Sequence, residues 1–336
     1  MAKKIILDCD PGIDDALAIA FAVGSPDLNL IGITSVAGNV GIDLTTSNAQ
    51  RVCEFIGATG IPVTRGSARP LLRAPIDARL VHGDSGLGGA RLPGPVTRLA
   101  GGHAIDYLIE TIKAAPGEIT LVATGPLTNI ALAVHREPRL VDLVGDFVIM
   151  GGSASRGNVT PAAEFNIGAD PEAAAVVFRA GWTVTMVGLD VTLQARATAA
   201  VRDRLAPLGP LATELVLPGL DQYATDADPL AATPLADGEA GRAAASGESA
   251  DGLGPAVHDV VAMAYAASPG LLGCLPARVE VETVGQWTAG MTVTDFAAPA
   301  AGQNALVATA IDVGGFWDLV LDSYHRVAAD MKTPTL

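Results

Sequence analysis

Cysteine is scarce in this chain: Cys9, Cys53 and Cys274 are the only three among 336 residues. Three scattered thiols cannot build a disulfide framework or a zinc cluster, and they read as small buried hydrophobes in a reducing compartment. Positive charge is also short. Twenty-one Lys and Arg stand against 36 Asp and Glu, a net charge of −15, which repels phosphate backbones and anionic lipid surfaces and argues against nucleic acid or a membrane as partner. No apolar run approaches the ~20 residues of a bilayer span. The opening MAKKIILDCD places only three apolar residues between its lysines and an aspartate, too few for a secretory h-region, so the expected location is the cytoplasm. No Gly-rich turn is followed by Lys-Ser or Lys-Thr, so no phosphate-binding loop is read.

What the chain does have is apolar content, 49% of its residues, enough for a large core, and its length fits one domain over 1–336. Strand-length apolar runs recur as KKIILDCD, LNLIGITSV, ITLVATG, VGDFVIMGG and WTVTMVGLDV. They lack polar alternation, as strands buried on both faces do. Helical patterns fall between them: DDALAIAFAVGS, the stretch from Thr45 to Gly57, HAIDYLIETIKAA, LTNIALAVHREP and DPEAAAVVFRAG. The expected fold is therefore α/β, a Rossmann-like open sheet, mostly parallel, flanked by helices. Near the C-terminus ARVEVETVG and TAGMTVTDF pair as a hairpin, NALVATAIDV adds a strand, and FWDLVLDSYHRVAADM closes as an amphipathic helix. The Ala-, Gly- and Asp-rich region 224–255 reads as a lid or loop insertion, or as a disordered linker.

In an open α/β sheet, ligands bind beyond the carboxyl ends of the strands. There the chain places DCDPGIDD, four carboxylates in eight residues. Asp10 ends the first strand, Pro11 and Gly12 turn, and Asp14 and Asp15 open the next helix. Two like charges ~4 Å apart repel by about 4 kcal/mol at an effective dielectric of ~20, while a helix N-terminus returns only ~0.3–1 kcal/mol per carboxylate. With no Lys or Arg nearby in sequence, a hard cation, Ca²⁺ or Mg²⁺, is the economical counter-charge, and oxygen-only ligands argue against zinc. More oxygen would come from ATGPLTN, through the Thr124 carbonyl, and from VHD, where Asp259 either caps a helix or binds metal.

The segments DCDPGIDDALAIAFA, SVAGNV, VHGDSGLGG, ATGPLTNIALA, IMGGSASRGNVTPAAEFNIGADPEAA and AVHD, in this order, closely resemble the inosine-uridine preferring nucleoside hydrolase family. The likeness spans nearly the whole chain and is weakest from about Ala224 to Pro255. It implies hydrolysis of the N-glycosidic bond of ribonucleosides to free base and ribose. It also implies one Ca²⁺ held by Asp10, Asp15, the Thr124 carbonyl and Asp259. Asp10 then corresponds to the general base on a metal-held water, Asp14 to the residue that bonds the ribose 2′-hydroxyl, and Asn39, Asn158, Glu164 and Asn166 to the other sugar contacts. His258 matches the leaving-group acid and His82 a second histidine near the base, while Met150 and Phe165 match positions near the substrate that core packing explains equally well. Family members are commonly homodimers or homotetramers.

These residue types suit that chemistry independently. Breaking an N-glycosidic bond builds positive charge on the ribose ring, which carboxylates and amide oxygens stabilise. A base leaves poorly as an anion, so a proton donor is worth ~10²–10⁴ in rate. Two other classes are weighed: a Mg²⁺-dependent phosphatase using DCDPG as an aspartate-nucleophile loop, and a catalytically silent nucleoside or ribose sensor on the same scaffold. The region between Gln222 and Pro255 carries Tyr223 as its single aromatic, which leaves base preference open.

Overall fold

The computed structural model describes residues 2–225 and 254–331, so nearly all of the region 224–255 read as a lid lies outside the described residues. Its backbone forms a nine-stranded sheet in the order β3-β2-β1-β4-β5-β6-β9-β7-β8. The strands are β1 (Lys3–Cys9), β2 (Leu28–Ser35), β3 (Val63–Arg65), β4 (Ile119–Ala123), β5 (Asp146–Met150), β6 (Val184–Val187), β7 (Leu272–Val281), β8 (Thr292–Asp295) and β9 (Ala305–Ile311). β1 to β6 and β9 run parallel. β7 lies antiparallel between β9 and β8, with Val279 opposite Thr294. The mostly parallel open sheet and its C-terminal hairpin are as the sequence implies. β3, only three residues long, carries too short a periodic signal to be found beforehand.

Both faces of the sheet are covered, which explains the unbroken apolar runs. Successive strand residues alternate between two cores: Ile5, Leu7 and Cys9 join one, and Ile6 joins the other. The first core takes α1 (Ile13–Gly24), α2 (Ile42–Phe55), the helix Asp259–Ala267 and the C-terminal helix Val313–Met331. The second takes helices in the stretches 104–114, 128–136 and 171–178. α2 begins at Ile42, three residues before the expected Thr45, because Gly41 in an extended conformation opens it.

The chain passes from β1 outward to β2 and β3, then returns to place β4 on the other side of β1. That reversal opens a crevice at the carboxyl ends of β1 and β4. The loops after these two strands carry Asp10 and Thr124.

Candidate active site

Asp10 follows β1, and Asp14 and Asp15 lie in the first turn of α1. The Gly12 N–H donates to Asp15 Oδ2 at 2.9 Å, closing the helix start. The Thr124 hydroxyl donates to Asp15 Oδ1 at 2.8 Å. From the loop after β2, the Asn39 N–H donates to Asp10 Oδ2 at 2.6 Å, and Asn39 Nδ2 donates to the Asp10 carbonyl (3.1 Å) and to Asp15 Oδ2 (3.3 Å). Two glycines let backbone press against the Asp10 carboxylate. A Cβ on Gly38 would sit 2.0 Å from Asp10 Oδ2, and one on Gly125 would sit 2.7 Å from Oδ1.

The opposite wall comes from late in the chain. Segment 195–197 pairs with 255–257 through Val257 N–H to the Ala195 carbonyl and Ala197 N–H to the Pro255 carbonyl. This delivers His258 and Asp259 to the crevice. The His258 N–H donates to Asp14 Oδ2 at 3.0 Å, and its ring Nδ1 lies 2.8 Å from Thr192 Oγ1. Asp259 is the first residue of its helix, Asp259–Ala267, with His258 at the N-cap, and its carboxylate is close enough to Asp10, Asp14 and Asp15 to feel their charges. His82 ends a short helix, Arg79–His82, and its Nδ1 accepts the Ile13 N–H at 3.0 Å. Its ring meets Tyr223 edge to face at 5.4 Å. Tyr223 reaches the site because a π-helical turn, Leu211–Val216, runs directly into the helix Leu217–Thr225, and its hydroxyl neighbours Asp14.

The sugar-side candidates are tied to one another. Glu164 caps the short helix Phe165–Ala169, accepting from Asn166 N, Ile167 N and, at 2.8 Å, from Gly152 N. Asn166 Nδ2 donates to the Thr124 carbonyl at 2.9 Å and to the Met150 carbonyl at 3.1 Å. Asn158 Oδ1 accepts the Phe165 N–H at 2.9 Å. Phe165 is half-buried and belongs to neither core, whereas Met150 is packed in the first core. Hydrogen bonds therefore link Asp10, Asp15, Asn39, Thr124 and Asn166 into one network, while Asp14, next to Asp15 in the same helical turn, is bonded to the His258 backbone. Thr192 and Asn129 were not singled out from sequence, although each belongs to a strand-end segment, GLDVT and ATGPLTN.

Burial dominates the electrostatics. Asp10, Asp14, Asp15 and Asp259 are all within 4% of complete burial, and desolvation pushes each carboxyl up; neighbouring carboxylate charges reinforce this at Asp10, Asp14 and Asp259, whereas at Asp15 hydrogen bonds from Gly12 and Thr124 oppose it. Asp14 is pushed up to about 8. His82 is pushed down to about 3 by burial and then by the His258 charge. His258 is pushed down to about 4 by burial and then by Arg196. Among the described residues no Lys or Arg forms an ion pair with any of these carboxylates.

The donor set fits a hard dication. Asp10 Oδ1 and Asp14 Oδ1 are buried without a hydrogen-bond partner, an arrangement that costs roughly 1–3 kcal/mol or more for each charged oxygen unless something positive meets it. Among the described residues no three His, Cys, Asp or Glu side chains are already arranged as a ligand cage. Both Asp15 oxygens and the Thr124 carbonyl are engaged by neighbouring hydrogen-bond donors. Asp8 lies below the site with no exposed surface; its Oδ2 accepts from Thr34 Oγ1 at 2.5 Å and Asn129 Nδ2 at 2.8 Å, and its Oδ1, like those of Asp10 and Asp14, has no hydrogen-bond partner.

The family model for inosine-uridine preferring nucleoside hydrolase matches residues 5–318. An inosine-uridine preferring nucleoside hydrolase from Leishmania major is 42% identical over 330 residues, covering 97% of this chain and 99% of that protein. A pyrimidine-specific ribonucleoside hydrolase, RihA, from Escherichia coli is 39% identical, covering 96% and 98%. Among solved structures, a purine-preferring ribonucleoside hydrolase from Gardnerella vaginalis superposes with a TM-score of 0.85 at 32% identity, covering 97% and 99%. With the motifs, the sheet order and these full-length matches in agreement, the chain belongs to the inosine-uridine preferring nucleoside hydrolase family and is an enzyme that hydrolyses the N-glycosidic bond of ribonucleosides.

Proposed function

We propose that this hydrolase works with one Ca²⁺ held by Asp10, Asp15, the Thr124 carbonyl and Asp259, with Asp10 as general base and His258 as leaving-group acid. The observation that carries the reading is the pair of buried, partnerless oxygens on Asp10 and Asp14, beside Asp15 and Asp259 with no cationic side chain paired to them among the described residues. A dication bound there supplies Lewis acidity and a template for ribose hydroxyls and water.

The chain's own residues do the rest. Asp10, held by the Asn39 N–H and flanked by Gly38 and Gly125, takes a proton from the attacking water through its free oxygen. Asp14 presents its partnerless oxygen to a ribose hydroxyl. Asn39, Asn158, Glu164 and Asn166 set the sugar-side wall, and the surrounding negative charge stabilises the cationic ribose of the transition state. His258, anchored by its N–H to Asp14 and at Nδ1 beside Thr192 Oγ1, protonates the departing base. His82, Tyr223 and half-buried Phe165 wall the base. The same negative field disfavours a 5′-phosphate, so nucleosides are preferred over nucleotides.

The test is release of free ribose from a panel of purine and pyrimidine nucleosides, with and without a calcium chelator. Chelator-sensitive release restored by Ca²⁺ supports the proposal, and the ranking of substrates defines the base preference. Release that is indifferent to chelation refutes the calcium role. Homodimer or homotetramer assembly is part of the same proposal, with Val284 and Trp287 at 89% and 81% exposure as apolar surface for a contact between copies, and light scattering on the purified chain measures it.

A further inference from the structure

His258 is fixed in its backbone by three bonds: its own N–H to Asp14 Oδ2, Val257 N–H to the Ala195 carbonyl, and the Val261 N–H to its carbonyl. None of these sets the rotation of the imidazole. That rotation is set from a different element. Thr192 ends the short helix Leu189–Thr192 that follows β6, is fully buried, and places Oγ1 2.8 Å from His258 Nδ1. The two residues are 66 positions apart, so the contact exists only because β6 and the segment before Asp259 end at the same crevice.

We propose that Thr192 is a positioning residue for bond cleavage: its hydroxyl holds Nδ1 so that Nε2 is the nitrogen presented to the leaving base. This rests on the reading of His258 as the acid. A hydroxyl both donates and accepts, so Thr192 serves the ring in either charge state. During cleavage the C1′–N bond breaks and its electron pair stays with the base. The Nε2 proton passes to a base nitrogen, and the Nδ1–H remains hydrogen-bonded to Thr192 Oγ1. The oxygen of water adds to C1′ with its proton going to Asp10; after product release Asp10 gives that proton to solvent and solvent returns one to Nε2. An untethered ring would spend most of its time out of line, and a misplacement of about 1 Å in such a donor costs roughly 10²-fold in rate.

The experiment compares Thr192→Val, Thr192→Ser and His258→Ala in the calcium-loaded enzyme on inosine, uridine and 4-nitrophenyl riboside. The nitrophenolate leaves without a proton and so reports everything except acid catalysis. Thr192→Val is expected to lower the ratio of nucleoside to nitrophenyl riboside kcat by roughly 10–10²-fold with little change in KM. Thr192→Ser should restore that ratio, and His258→Ala should lower it further. Equal losses on both substrate types in Thr192→Val would assign Thr192 a merely structural role and overturn the inference. An unchanged ratio in Thr192→Val beside a collapsed ratio in His258→Ala would overturn it while leaving the acid assignment standing. An unchanged ratio in His258→Ala would remove the acid assignment itself, and the inference with it.

Discussion

Chelating the cation proposed for the Asp10 cluster should make stability fall as pH rises from about 6.5 to about 8. Asp14 has its folded-state value raised from 3.8 to about 8 by burial. Such a group keeps its proton in the folded chain while the unfolded chain has lost it. Its stabilisation is therefore complete below about 3.8 and is lost as pH climbs through 8. His82 and His258 act oppositely, since their values are depressed from 6.5 to about 3 and about 4, and they cost stability only below about 6.5. Up to about pH 7.5 the remaining titration of these histidines in the unfolded chain offsets part of the carboxylate slope, and above that the carboxylates act alone. At about 1.4 kcal/mol per unit, Asp14 removes about 2 kcal/mol across the window. For 336 residues the unfolding entropy is about 0.7 kcal/mol/K, so the midpoint drops by about 3 °C. Asp10 and Asp259, both raised well above the ordinary range, add to the drop with the same sign. Ca²⁺ binds the deprotonated form, so its stabilising shift should be larger at pH 8 than at pH 6.5, about 4 °C at a hundredfold excess over Kd. Thermal unfolding followed by circular dichroism in chelator and in Ca²⁺ measures both. A chelated midpoint that is flat or rises across the window, or a Ca²⁺ shift of equal size at both ends, would refute the reasoning.

Other outcomes follow from single side chains. Asp10→Asn keeps the shape of the carboxylate but cannot accept the proton of water, so kcat should fall by roughly 10²–10⁴; full turnover with Ca²⁺ shown bound by calorimetry would remove Asp10 as base. In Gly38→Ala the new methyl would sit 2.0 Å from Asp10 Oδ2, so a folded protein with Ca²⁺ affinity and kcat each reduced at least about tenfold is expected, and wild-type values of both would refute the close approach. Asn129 accepts from Ser67 N–H and donates to Asp8 Oδ2 and the Ser35 carbonyl, pinning the ends of β1, β2 and β3 together. Asn129→Ala strips these buried groups of a partner at a cost of about 3 kcal/mol, and a denaturant midpoint equal to wild type would contradict that role.

The sequence by itself determined the features that depend on neighbours in the chain. Asp10, Asp14 and Asp15 lie on one strand-turn-helix, where spacing alone places three carboxylates at one strand end. The unbroken apolar runs identified the principal parallel strands, and their alternation with helical patterns gave the parallel sheet. The C-terminal hairpin was also legible, because β7 and β8 are close in sequence. Tertiary structure decided which distant groups share the site and what each one holds. Asn39 and Asn166 read as sugar contacts from the motifs, yet their amide nitrogens are committed to Asp10, Asp15, the Thr124 carbonyl and the Met150 carbonyl. Thr192 meets His258, and Asp14 meets the backbone of His258 across 244 residues. No local signal encodes these pairings. They arise where the chain reverses direction across the sheet between β3 and β4, bringing strand ends far apart in sequence to one crevice, and the burial made there both raises the carboxylates and depresses the histidines.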